Sequence, residues 1–201
     1  MKRTIARVVR IAAFLGLAVS ASASQAAFYN SQAAFLAANP GLTLQNFEVG
    51  CASLCGVPTF AGFSASGANL VIADAAFGAP SDWLADNQFN GNIGLTFSPA
   101  VNSVGFNVSA GYNGGDIVID IFNGLTLLDH RVVTTSALAT FDTFVGWNNL
   151  GSLNNLKIVV NNEQLFVNID NLYFGQVPEP ASLALLGLGL AGIACARRRK
   201  Q

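Results

Sequence analysis

The chain has 201 residues, 52% of them hydrophobic and only 10% charged, with a formal net charge of −1. Between residues 27 and 177, however, the only cations are Arg131 and Lys157 against ten carboxylates, a net of −8. A region of that charge repels nucleic acid and anionic membrane and attracts divalent cations, so no nucleic-acid partner is expected. Its length, about 150 residues, is that of one domain.

The N-terminus reads as an export signal. Lys2, Arg3, Arg7 and Arg10 form a positive head, Ile11 to Val19 an apolar run, and small residues follow from Ser20. This order is a secretory signal peptide over residues 1–26, which makes the Sec translocon and signal peptidase partners. Ser24 and Ala26 put small residues at −3 and −1, so cleavage is placed after Ala26, with Ala23 as the alternative.

Ser31 is placed to cap a short helix through Ala38, stopped by Asn39-Pro40-Gly41. No long 3.6-residue period follows. Short runs of strand character recur instead, at 42–49, 69–73, 93–97, 103–109, 117–122, 125–133, 140–147, 156–160 and 165–174. Asn123-Gly124 between two of them is a strong hairpin signal, and Asn113-Gly114-Gly115-Asp116 and Asn161-Asn162 are similar. Asn90-Gly91 closes an Asn- and Asp-rich loop that begins near Trp83. Val104, Phe106 and Val108 alternate with Gly105 and Asn107, which puts the two sets on opposite faces. Nine short strands with regular turns predict an all-β domain over 27–176, an antiparallel β-sandwich of jelly-roll type. No repeat of 20–50 residues is present, which excludes propellers and solenoids. Cys51 and Cys55 close a small loop in an oxidising compartment and are read as a disulfide; a metal site lacks a second Cys pair or a His cluster. Cys195 is read as a tail residue lost on processing.

Residues 177–201 have a three-part order. Pro178-Glu179-Pro180 keeps the backbone extended. An apolar run, Ala181 to Ala196, would span roughly 24 Å as a helix. Arg197, Arg198, Arg199 and Lys200 then favour the cytoplasmic side. The run is short for a permanent anchor, since a bilayer core takes about 20 apolar residues. This order resembles the PEP-CTERM sorting signal of Gram-negative bacteria. The resemblance implies a transmembrane helix at 181–196 and recognition by an exosortase, with cleavage at or near Pro178-Glu179-Pro180. It also implies a producer of exopolysaccharide and biofilm matrix. A plain C-terminal anchor is the alternative.

The region before the tail resembles jelly-roll domains that often precede this signal. The residues that carry the resemblance are Asn46-Phe47-Glu48, Val104-Gly105-Phe106, Phe144-Val145-Gly146-Trp147 and Val167 to Gly175. Similar jelly rolls include carbohydrate-binding modules and meprin-type adhesion domains, and the fold alone does not transfer function. In jelly rolls that contain calcium, an early Phe-Glu and a last-strand Asp converge, which here implies Glu48 and Asp170 as structural calcium ligands. Calcium wants hard oxygen donors. Phe166, Asp170, Leu172 and Phe174 share a parity that would aim Asp170 at the core; the alternative is a bulge that leaves both acids solvated.

Trp83, with Asp82 and Asn87, is a candidate sugar platform, an aromatic face beside hydrogen-bonding side chains. The alternative is that Trp83 and Trp147 plug core edges. His130, the single histidine, is flanked by Asp129 and Arg131, and Asp116 and Asp120 share a strand face. No nucleophile elbow, metalloprotease helix, phosphate loop or dinucleotide fingerprint accompanies them. The expected role is therefore a non-enzymatic structural or adhesion component of the cell surface or extracellular matrix, held transiently in the inner membrane. A carbohydrate-binding module is the alternative and a secreted glycan hydrolase a further one. No regular Thr-x-Thr ladder supports ice binding.

Overall fold

The computed structural model describes residues 26–89, 91–160 and 166–177, without the side chains of 158–160. The signal peptide, Asn161-Asn162 and the tail from Pro178 lie outside the described residues. No described helix is long and apolar enough to cross a membrane.

The described residues form β1 (Ala27–Tyr29), α1 (Gln32–Ala38), β2 (Thr43–Gln45), β3 (Leu54–Gly56), β4 (Phe63–Ser66), β5 (Leu70–Ala73), β6 (Trp83–Asp86), β7 (Asn92–Val101), β8 (Ser103–Ala110), β9 (Gly115–Asn123), β10 (Thr126–Thr135), β11 (Phe144–Asn148), β12 (Leu153–Val160) and β13 (Val167–Gly175). They make two antiparallel sheets. The first, sheet A, runs β1-β11-β8-β13-β6-β5-β3, with β2 also on β13; the second, sheet B, runs β10-β9-β12-β7-β4. This is the expected antiparallel β-sandwich.

Alternation builds the core. Val104, Phe106, Val108 and Ala110 of β8 face Ile117, Ile119 and Ile121 of β9 and Ile93, Leu95 and Phe97 of β7 across the sandwich, all buried. Each of the Val, Leu, Ile and Phe side chains among them contributes about 1.5–3 kcal/mol on leaving water. Ser31 caps α1, its side chain accepting from the Ala34 N–H. At the β9–β10 hairpin the loop is Gly124-Leu125, because Asn123 pairs with Thr126. Gly124 takes a φ of 59°, the first position of a tight turn that favours glycine.

Four strands, β1, β3, β4 and β6, are absent from the sequence expectation. Three of them are too short for an alternation to declare itself. The fourth, β6, corrects the reading of a polar loop beginning at Trp83: all four of its residues are buried. Two expected strands are shorter than their apolar runs. Phe47 and Phe141 have φ of 60° and 47°, left-handed values that end one extension and delay the other.

Sheet A is covered on its outer face as well. The Phe35 ring of α1 lies over the cross-strand pair Gly105 and Gly146, where an added Cβ would meet it at 2.8 Å in both cases. Leu138 and Phe141, from the loop between β10 and β11, pack on Ala73, Trp83 and Ala85.

Candidate functional site

An acidic pocket forms where two short strands share one neighbour. Along one edge of β13, Asn168 and Ile169 pair with β6, and Leu172 to Phe174 pair with β2. Between these partners the register of β13 slips after Asp170, and Asn171 takes a φ of 49°. This bulge corrects the parity reading. The inward set is Val167, Ile169, Leu172 and Phe174, and Asp170 pairs with Asn107 on the opposite face. Asp170 is nevertheless only 3% exposed, because that face of sheet A is covered.

The Asp170 carboxylate accepts from Ser81 Oγ at 2.7 Å and from the Asn171 backbone N–H at 2.6 Å. The Asp82 N–H donates to Glu48 Oε1 at 3.2 Å, and Asp82 Oδ2 accepts weakly from the Cys51 N–H at 3.4 Å. Cys51 and Cys55 are joined by a disulfide beside the pocket. Burial pushes the Asp170 carboxyl up to about 6; Ser81 and Asn171 oppose the shift, and the Glu48 and Asp82 charges add to it. Neither cation of the described residues lies here: Arg131 pairs with Asp129, and Lys157 is exposed on sheet B, in register with Asp120.

A cation suits this pocket chemically. The donors are hard oxygens, and among the described residues no cation pairs with their charge. Among the described residues the buried Asn107 Oδ1, on the residue that faces Asp170, also has no hydrogen-bond partner. Among the described residues, though, no three His, Cys, Asp or Glu groups stand close enough to hold a metal ion. Any ion at Glu48 and Asp170 would therefore need backbone carbonyls or amide oxygens to complete its shell.

The Trp83, Asp82 and Asn87 set does not form a sugar platform on the surface. Trp83 is 3% exposed, packs beneath Phe141 and donates from Nε1 to Asn168 Oδ1 at 3.0 Å. Asp82 is turned into the acidic pocket, and only Asn87 is exposed. Trp147 is likewise fully buried, with Nε1 donating to Asp129 Oδ2 at 2.7 Å. Burial alone would raise the Asp129 pKa, but the Arg131 guanidinium, that Trp147 bond and the His130 N–H together outweigh it and hold the carboxyl below its ordinary value.

The outer face of sheet B is open. Asp116 and Asp120 do share it, but each is held by a neighbour on β10. Thr134 Oγ1 donates to Asp116 at 2.7 Å, and His130 Nδ1 lies 2.6 Å from Asp120 Oδ1. Across β7, β9 and β12 runs a groove of about 360 Å³, lined by Asn92, Thr96, Phe122, Leu125, Asn155 and Lys157 among others. Phe122 had carried no signal in the sequence beyond its place in a strand, yet it is the aromatic ring of this face.

At the C-terminal end of β13, Asn102 grips the chain that leaves the domain. Its backbone N–H donates to the Gly175 carbonyl at 3.1 Å. Its Nδ2 donates to the Val177 carbonyl at 2.8 Å, and its Oδ1 accepts from the Val177 N–H at 2.8 Å. The extended chain is thereby followed to the residue before Pro178-Glu179-Pro180. Residues 176–200 match the family model described as the PEP-CTERM protein-sorting motif. The chain carries a PEP-CTERM sorting motif. It starts at Gln176, immediately after β13 ends at Gly175.

No curated protein sequence matches the chain. Among solved structures, the PEP-CTERM chain is similar to a point mutant of CBM29-2, a family 29 carbohydrate-binding module. Identity is 12% and the TM-score 0.41, over 78% of this chain and 99% of that one. The K1 cleaved adhesin domain of Lys-gingipain from Porphyromonas gingivalis W83 is similar at 12% identity and a TM-score of 0.46, over 68% and 99%. CsCBM6-3 from Clostridium stercorarium, solved with cellobiose, is similar at 19% identity and a TM-score of 0.34, over 60% and 92%.

Proposed function

We propose that this is an exosortase-processed protein of the cell surface or extracellular matrix of a Gram-negative bacterium. Its sandwich serves as a non-enzymatic structural or adhesion component associated with exopolysaccharide. The observation that carries this reading is the PEP-CTERM motif at residues 176–200, joined to the last strand without a spacer. The apolar run 181–196 holds the protein in the inner membrane until an exosortase cuts at or near Pro178-Glu179-Pro180. A non-enzymatic role is supported by the His130 side chain, whose ring, among the described residues, bonds to Asp120 and to no hydroxyl or thiol nucleophile.

Intact mass of the protein from the producer's surface and medium tests this reading, against a variant with Pro178, Glu179 and Pro180 all changed to Ala. A native product without the tail, with the variant retained in the membrane at full length, is expected. A native product that keeps Arg197 to Lys200 would leave a plain anchored domain.

The acidic pocket is read as a structural cation site, with calcium held through Glu48 and Asp170; its role is stability. A second reading, carbohydrate binding, draws on one observation, the open groove of sheet B. Phe122 offers an apolar face there beside the amides of Asn92 and Asn155 and the hydroxyl of Thr96. Stacking plus amide hydrogen bonds is the chemistry that holds a sugar ring.

A further inference from the structure

Asn102 stands between β7 and β8, at the bend where the chain crosses from sheet B to sheet A. Its side chain pairs with Val177 as a strand residue would, donating to the carbonyl and accepting from the N–H. Gln176 adds a side-chain bond to the Ala100 carbonyl. The last residue before Pro178-Glu179-Pro180 is thus locked to the body of the domain by its own backbone groups.

This lock competes with processing. An enzyme that cuts at or near Pro178-Glu179-Pro180 must hold extended backbone on both sides of the bond, and strand-like capture uses the substrate's N–H and C=O groups. Pro178 and Pro180 have no N–H. From Val177 to Pro180, only Val177 and Glu179 can donate, and Asn102 occupies one of these two. Distance offers no escape, since the three residues of the motif reach at most about 10 Å from Val177.

We propose that Asn102 gates removal of the sorting tail, because the processing enzyme takes the motif only from molecules in which Val177 has left the Asn102 side chain. The gate rests on the exosortase reading above. Cleavage then proceeds in proportion to the fraction of molecules in which Val177 is free of Asn102, which links tail removal to local opening of the folded domain.

The test is a pulse–chase of the full-length chain in the producing organism, following loss of the tail by intact mass. Asn102→Ala should lose the tail about fivefold faster or more, the equilibrium worth of one net hydrogen bond. Asn102→Asp, close in shape but with a carboxylate facing the Val177 carbonyl, should also be faster and guards against misfolding of the alanine variant. Gly-Ser-Gly-Ser inserted between Val177 and Pro178 supplies free N–H groups ahead of the motif. The insertion should accelerate the wild type equally, and adding Asn102→Ala to it should then change nothing. Rates at or below wild type for both Asn102 variants would overturn the gate, as would further acceleration of the inserted chain by Asn102→Ala. Retention of the tail by the wild type is a different outcome and would overturn the processing reading itself.

Discussion

The outer faces of the two sheets begin from the same alternation and end in opposite states. On sheet A the outward residues Ser103, Asn107, Ser109, Asn168 and Asp170 are all buried, beneath α1 and the loop that carries Leu138 and Phe141. On sheet B the outward Thr96, His130 and Lys157 are exposed. An outward polar side chain is therefore structural in one sheet and available in the other. Each buried one in sheet A must find a partner, as Asn168 does with the Trp83 indole N–H and the Ser109 carbonyl. Asp170 meets the same demand less completely, with two more carboxylates close by.

The largest test of this contrast is Trp83→Ala. It removes a buried ring from beneath Phe141 and leaves Asn168 Oδ1 without its donor. A loss of about 3–5 kcal/mol is expected, read as a fall in the denaturant midpoint. A variant that keeps its stability but no longer binds polysaccharide would return Trp83 to the surface and undo the distinction between the faces.

The periodic part of the fold could be read from the chain. Val104, Phe106 and Val108 announce an inward face, and the runs that became β8, β9 and β10 were near their final limits, while β7 continues four residues past the end of its run. What could not be read depends on contacts distant in sequence. Trp83 sits among Ser81, Asp82, Asp86 and Asn87, a polar context that suggests a loop, yet β13 and the β10–β11 loop enclose it. The parity of β13 failed at Asn171, where a single left-handed residue reverses every assignment upstream of it. Of the acidic site, Glu48 and Asp170 could be named from a resemblance; Asp82, 88 residues from Asp170, joined them only through folding. Asn102 carries no local signal, because its role is defined by a residue 75 positions away.

A smaller effect tests the Asp170 pocket. Its carboxyl rises from 3.8 to about 6 in the folded protein, so the folded state binds a proton that the unfolded state releases. This contribution is fully present below the unfolded pKa and is lost as pH rises through the folded one. The melting temperature should therefore carry a component that falls between about pH 4 and about pH 7, and Asp170→Asn should remove that component. At about pH 7.5, where the carboxylate is ionised, calcium should raise the melting temperature of the wild type but not of Asp170→Asn. The same pH slope in both proteins would assign it to other groups, and a calcium response in both would move the ion elsewhere.

The smallest stability effect is expected on the open face. Phe122 is half-buried at the rim of the sheet B groove, and its ring supports no core residue across the sandwich. Phe122→Ala should cost about 1 kcal/mol or less. If the groove takes sugar, the same change should abolish retardation of the processed protein in gels that contain the producer's exopolysaccharide. Thr134→Ala, on the same sheet but bonded to Asp116 beyond the groove, should leave retardation intact. Equal retardation of all three proteins would reject the groove as the sugar site, since a ring that stacks on a ligand cannot be removed without loss of the contact area it supplies.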